Sequence, residues 1–227
     1  MHYYAMYPRL FYDVELTMLD VWDNRQLGAL RAAAIELRAK RDELAVDCRY
    51  VDLLDEIARV SSFGELYDLL GMTYVVDERG LADQFPDGAF DFIYSFHVLE
   101  HVPAEGTPAL ARSIHDALKP GGFTIHQIGI DDHLTHYDKR ESTKNYLRYS
   151  NRTWKLFFEN RVQYQNRLQV YDWLDVFERE GFSLAAISQQ STNIDSLRMA
   201  PKYQGHSKED LGCTSLTIVH QKPADQM

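Results

Sequence analysis

Apolar and polar positions alternate along the chain between a strand period and a helix period. "VELTMLDVW" (Val14–Trp22) is rich in β-formers and breaks into acid and turn residues at Asp20, Asp23 and Asn24, which predicts a strand. "NRQLGALRAAAIELRAKRDEL" carries Leu and Ile at helical spacing in an Ala-rich background and predicts a helix with an Arg-rich solvent face. "CRYVDL" predicts a short strand, "LDEIARVSSFGELYDLLG" two helical pieces broken at Ser61–Gly64, and "MTYVVDE" a strand ending in acid. The turn Pro86-Asp87-Gly88 introduces a strand at Phe90–Phe96. "AEGTPALARSIHDAL" predicts a helix, closed by Lys119-Pro120-Gly121-Gly122, because proline and paired glycines stop a helix and turn the chain. "FTIHQIGI" (Phe123–Ile130) is the next strand. A long polar and aromatic insertion, Asp131–Leu168, separates it from the helix "YDWLDVFEREG", the strand "FSLAAISQQ", an irregular stretch and a last strand, "CTSLTIVHQK".

Strands alternating with helices predict an α/β fold with a doubly wound, mostly parallel sheet. The ending has no helix between its last two strands, which predicts a C-terminal antiparallel hairpin. No internal repeat, low-complexity tract or convincing linker is visible, so residues 1–227 read as a single domain, with 131–168 as a substrate-side insertion.

Composition narrows the class. The 227 residues suffice for one well-buried α/β core, and no apolar run approaches the ~18 residues of a membrane span. "MHYYAMYPRLFYD" lacks the basic region and apolar core of a secretory signal. Cys48 and Cys213 form no CxxC pair, so the cysteines indicate no metal site, and a reducing cytoplasm is the expected location. A formal net charge of -10 argues against non-specific attraction to nucleic acid, apart from a locally basic face around Lys139 to Arg167, and favours a small acidic enzyme.

In an open α/β sheet, ligands bind beyond the carboxyl ends of the strands. Four ends are candidates: Asp20, Asp77, Ser95-Phe96-His97, and Ile128-Gly129-Ile130. A strand-end acid can accept both hydroxyls of a ribose, and apolar neighbours can sandwich an adenine ring.

"FPDGAFDFIYSFHVLEHV", a helix, and then "ALKPGGFTIHQI" together resemble the class I S-adenosylmethionine-dependent methyltransferases of the small-molecule type. The resemblance runs in motif order over about residues 14 to 130, and the terminal strand–loop–strand is similar to that family's final hairpin. It implies S-adenosylmethionine as cofactor. By this resemblance Asp20 holds the cofactor ribose, with Asp23 as the fallback, and Asp77 falls near the adenine. Ser95, Phe96 and His97 face the methionine part, and Glu100 and His101 flank the pocket. Outside the resemblance, His133 and His136 in "DDHLTHYD" are candidates to bracket a substrate or act as a base. Each has a plainer alternative. Asp20 can cap a turn, Asp77 can be a solvated acid, His97 can be a satisfied strand-end histidine, and Glu100–His101 can orient the next helix. Lys119–Gly122 is foremost a structural turn, His133 and His136 can be exposed, and Trp154, Tyr164, Asn166 and Arg167 can pack a core rather than meet a substrate.

The family's first strand and its G-x-G-x-G loop have no counterpart here; the first glycine is Gly28, after the Asp20 strand, and "MHYYAMYPRLFYD" looks like the helix that follows that loop. The missing strand belongs centrally, between the strands ending at Asp20 and Ser95. An N-terminally incomplete chain is the expected explanation; closure of the two neighbouring strands, or a strand from a partner, are the alternatives. The functional expectation is methyl transfer from S-adenosylmethionine to a small-molecule acceptor, and the alternative is a catalytically inactive methyltransferase-like binding or scaffold protein. A nicotinamide-dependent oxidoreductase is disfavoured by the absence of G-x-G-x-x-G.

Overall fold

A computed structural model describes residues 8–9, 12–40, 42–43, 48–138, 140–159 and 164–224. The chain packs as two compact units, Met1–Gly80 and Leu81–Met227. No helix among the described residues is long and apolar enough to cross a membrane.

The first unit pairs β1 (Leu16–Asp20) with β2 (Met72–Val76) in parallel, Leu16 opposite Met72 and Asp20 opposite Val76. Between them run α1 (Leu27–Ala39), α2 (Cys48–Arg59) and α3 (Phe63–Leu70). Their apolar stripes, Leu30, Ala34 and Leu37 with Leu54, Ile57, Leu66 and Leu70, make one core with Met72. Arg38 Nε meets Asp55 Oδ1 at 2.5 Å, and Arg31 Nε donates to the Ala58 carbonyl at 2.9 Å, tying α1 to α2 at the rim. "CRYVDL" is therefore helix rather than strand. Its β-formers open a longer stretch whose buried Leu54 and Ile57 stand three apart, and that continuing helical stripe, visible only past Leu53, decides the element. The break at Ser61–Gly64 occurs as expected. Ser62 caps α3 by accepting from the Glu65 N–H at 3.2 Å, Glu65 reaches back to the Ser61 N–H at 2.7 Å, and Gly71 closes the helix at φ 57°.

The second unit holds a four-stranded sheet ordered β3-β4-β6-β5: β3 (Phe90–Phe96), β4 (Leu118–Gly129), β5 (Ser183–Ser191) and β6 (Cys213–Gln221). β3 and β4 are parallel, while β4–β6 and β6–β5 are antiparallel. The mixed α/β, Rossmann-like expectation with a closing antiparallel pair is borne out. The strands β1 and β3, between which a further strand was expected, lie in different sheets.

Helices α4 (Thr107–Ala117) and α6 (Val170–Arg179) cover the sheet, burying Leu110, Ile114, Trp173 and Phe177 against Ile128, Leu216 and Ile218. Lys119–Gly122 is a bulge inside β4 rather than a separate turn: Phe90 pairs with Leu118 and Phe92 with Phe123, so four residues fit opposite Asp91. Gly121 takes φ 81°, and a Cβ on Gly122 would lie 2.8 Å from the Lys119 carbonyl oxygen, which is why glycines stand there.

The described residues of the insertion contribute to a core of their own. Within the insertion, α5 (Asn151–Phe157) and two 3-10 turns, His133–His136 and Asn145–Arg148, were not predicted. Tyr146, Leu147 and Trp154 pack with Ile194, Leu197 and Tyr203 of the irregular stretch before α7 (Lys208–Gly212). Lys144 fastens this block to the sheet. Fully buried, its Nζ lies within hydrogen-bond reach of four acceptors, the carbonyls of Ile130 (2.9 Å) and Cys213 (2.7 Å), Tyr146 Oη (2.7 Å) and Gln169 Oε1 (3.1 Å), which its N–H groups share.

Candidate functional site

The strand-end candidates fall into two groups, one in each unit. In the first, Asp20 and Asp77 sit side by side because β1 and β2 run parallel in register, and the Asp77 N–H continues the ladder to the Asp20 carbonyl at 2.9 Å. The Asp20 carboxylate accepts from Tyr74 Oη at 3.3 Å. Asp77 is held by Arg79, through Nη2 at 3.0 Å and the backbone N–H at 2.8 Å, which lowers its carboxyl below the usual range. Asp23 is clamped in bidentate fashion by Arg25, at 2.8 and 2.7 Å. Arg25 in turn lies 5.1 Å above both the Phe63 and Tyr74 rings. Of the two acids considered for a ribose, Asp23 has its carboxylate committed to a guanidinium and Asp20 has one long hydroxyl contact.

In the second unit, Ser95, Phe96 and His97 end β3. Ser95 Oγ points to His126 Nδ1 at 2.7 Å, so this hydroxyl belongs to an interior pair with the neighbouring strand. His126 Nε2 is 2.6 Å from Thr124 Oγ1, and complete burial, with His220 adding like charge, drives this imidazole down to about 3. His97 is the turning point. Its N–H completes the ladder to the Gln127 carbonyl at 2.9 Å, and its backbone then swings to φ 52°, a left-handed conformation costly for a residue with a side chain. The swing brings Nδ1 to 2.9 Å from Glu100 Oε1, a bond that raises the His97 pKa against the opposing effect of burial.

Glu100 is 2% exposed, and its Oε1 also accepts the Gly129 N–H at 3.1 Å. A Cβ on Gly129 would lie 2.9 Å from that oxygen and 3.0 Å from His97 Nδ1, so glycine is required for the two strand exits to approach this closely. The turn Leu99–His101 is then strapped by Asn166: its side-chain amide donates to the carbonyls of Leu99 (2.8 Å) and Val102 (2.9 Å), and its N–H to that of Glu100 (2.9 Å). His101 Nδ1 lies 2.7 Å from the Tyr164 carbonyl, and the His101 and His133 rings are 5.3 Å apart. His136 closes the turn that His133 begins, and its side chain lies outside the described residues.

The sequence of a family described as a methyltransferase domain matches residues 33–187, which span the LEH turn and the LKPGG bulge. The chain belongs to this methyltransferase family. Solved structures similar to it include an S-adenosylmethionine-dependent methyltransferase from Methanosarcina mazei, at 14% identity over 97% of this chain and 98% of that one, with a TM-score of 0.46. Another, from Mesorhizobium loti, shows 16% identity over 96% and 95% of the two chains at a TM-score of 0.44. A phosphoethanolamine N-methyltransferase 2 from Haemonchus contortus, solved with S-adenosyl-L-methionine, shows 16% identity over 98% of this chain and 52% of that one at 0.47. Comparison with curated proteins gives no match. The resemblance read from the LEH and LKPGG segments is thus borne out.

In this chain the LEH turn owes its shape to residues that sequence reasoning ranked differently. Asn166, weighed as a substrate contact or core residue, is the strap of that turn. Arg167 lies 4.8 Å over the Trp154 ring and donates to Asn151 Oδ1 at 2.7 Å, and Trp154 is 6% exposed, so both support the insertion's core. Lys144, whose burial pushes its ammonium down to about 7, carried no sequence signal: it is one lysine among polar residues, and only its position beneath Ile130 and Cys213 marks it.

Proposed function

We propose that this chain binds S-adenosylmethionine and transfers its methyl group to a small-molecule acceptor. The observation that carries the reading is the methyltransferase-domain match across residues 33–187. It is supported, within each unit separately, by polar groups at the carboxyl ends of parallel strands, Asp20 and Asp77 in the first and His97 in the second, where open α/β sheets bind ligands. When bound, S-adenosylmethionine supplies an activated sulfonium methyl. The chain's own residues hold and orient. Asp20 accepts from the ribose hydroxyls, Asp77 lies on the adenine side, and Ser95, Phe96 and His97 line the methionine end. Because Ser95 Oγ is already engaged with His126, the contribution of that residue is its backbone, while Phe96 and His97 offer the ring surface. His133 and His136 are the candidates for removing a proton from an acceptor that must lose one.

Calorimetric titration of the full chain with S-adenosylmethionine and S-adenosylhomocysteine tests this. Saturable binding that Asp20→Ala weakens, with methyl transfer to at least one member of a small-molecule acceptor panel, is the expected result. Binding without turnover on any acceptor favours the inactive binding module, and no binding of either ligand removes the enzyme reading.

A further inference from the structure

Two strand exits bring three metal-ligating side chains together. Glu100 and His101 leave β3 in one 3-10 turn, and His133 opens the 3-10 turn that follows β4. One ligand-capable atom from each of the three lies within 4.8 Å of the others.

Two further observations point to a ligand. Glu100 is almost wholly buried; its Oε1 is used by His97 and the Gly129 N–H, while its Oε2 is buried with no hydrogen-bond partner. A buried carboxylate oxygen left without a donor is costly, and a cation removes that cost. His101 supplies the second. The Tyr164 carbonyl can only accept, so at 2.7 Å it fixes the ring hydrogen on Nδ1 and leaves Nε2 with its lone pair. An imidazole whose second nitrogen donates to a backbone carbonyl is the usual arrangement of a metal ligand. The same logic applies to the carboxylate, whose Oε1 is anchored from two sides so that Oε2 is held in place.

We propose that Glu100, His101 and His133 bind a first-row divalent transition-metal ion, with Zn2+ the best match to two imidazoles and one carboxylate. The two nitrogen donors argue against Mg2+ and Ca2+, which favour oxygen. An ion about 2.0–2.2 Å from each ligand draws the three donor atoms to roughly 3.3–3.6 Å of one another, which small side-chain rotations achieve from the present spacing. Three protein ligands leave a fourth position open, as in catalytic rather than structural zinc sites. With His133 on the ion, proton removal from an acceptor falls to His136; that assignment, and use of the open position to hold an oxygen or nitrogen of the methyl acceptor, rest on the methyl-transfer reading, and metal binding does not.

The test uses the untagged full chain, freed of metal by a chelator and titrated with Zn2+ against a chromophoric competitor, then with Co2+ while recording its ligand-field absorbance. The expected result is one tight equivalent and a Co2+ spectrum showing nitrogen and oxygen ligation. His133→Ala and Glu100→Gln each lower affinity by about tenfold or more, while His206→Ala, remote in sequence and paired with Asp210, leaves it unchanged. Circular dichroism of His133→Ala, a change in a surface turn, verifies that loss of binding is not loss of fold. Absence of saturable binding, or equal affinity in wild type and His133→Ala, overturns the proposal. Because the probe is the metal alone, that failure leaves S-adenosylmethionine binding untouched, and failure of cofactor binding leaves the metal result standing.

Discussion

Replacing His220 by phenylalanine removes a pH-dependent liability from the core of the second unit. His220 is 1% exposed and stacks on Phe177 with centroids 4.7 Å apart and planes 14° from parallel. Its Nδ1 is buried without a hydrogen-bond partner, and burial lowers its pKa from 6.5 to about 4. The folded-state value is depressed, so below pH 6.5 the unfolded chain takes up a proton that the folded chain refuses. Stability is therefore intact above pH 6.5 and is lost as pH falls toward 4. Between pH 7 and pH 5 the linkage from 6.5 to 4 amounts to roughly 2 kcal/mol. Against a typical total of about 5–15 kcal/mol this is large. Phenylalanine keeps the stack on Phe177 and has no nitrogen to leave unpaired, so the variant should be at least as stable at pH 7. Urea unfolding at pH 5, 6 and 7 tests the argument. Tryptophan emission suits it, since Trp173 is 1% exposed beside Phe177 whereas Trp22 is 65% exposed and changes little on unfolding. With a slope of about 2 kcal/mol per molar, the wild type should lose roughly 1 M more in its midpoint between pH 7 and pH 5 than His220→Phe does. Parallel pH dependences in the two proteins would refute the reasoning.

Other outcomes follow from the same structure. Lys144, held at about 7, gives up its proton in the folded chain while the unfolded lysine keeps its own to about 10.4, so stability should rise by roughly 1.5 kcal/mol from pH 7 to 8.5. Lys202, lowered to about 8, acts in the same direction, and Lys144→Met should flatten the larger part of that rise in chemical denaturation. Gly122→Ala sets a Cβ 2.8 Å from the Lys119 carbonyl and 3.1 Å from that of Asp91, both backbone; a loss of about 1–3 kcal/mol is expected in thermal or urea unfolding. Asn166→Ala frees the carbonyls of Leu99 and Val102 and should cost about 1–2 kcal/mol, with faster amide exchange of the LEH turn as its local signature. Asp20→Ala should weaken S-adenosylmethionine binding by about tenfold or more in calorimetry, and Asp23→Ala, whose carboxylate is occupied by Arg25, should change it little.

The sequence by itself determined the strands at Leu16–Asp20, Met72–Val76 and Phe90–Phe96, the helix after Ala104, the antiparallel ending and the family, because each rests on local information: runs of β-formers, helical spacing, and the LEH and LKPGG segments at their separation. It failed where the deciding contact lies outside the window being read. "CRYVDL" holds β-forming residues, and only the burial of Leu54 and Ile57 further along makes it helix. Lys119–Gly122 reads as a stop in either case, but its place inside β4 depends on pairing with Phe90 and Phe92 of another strand. Among the site residues, the strand-end positions were legible from the fold's periodicity, whereas their partners were not. Ser95 meets His126, Glu100 meets Gly129, and His101 approaches His133 only because β3 and β4 lie parallel and in register, so that chain segments distant in sequence leave the sheet at the same end. That coincidence of strand exits is a property of hydrogen-bond register across the sheet, and no local pattern of residues encodes it.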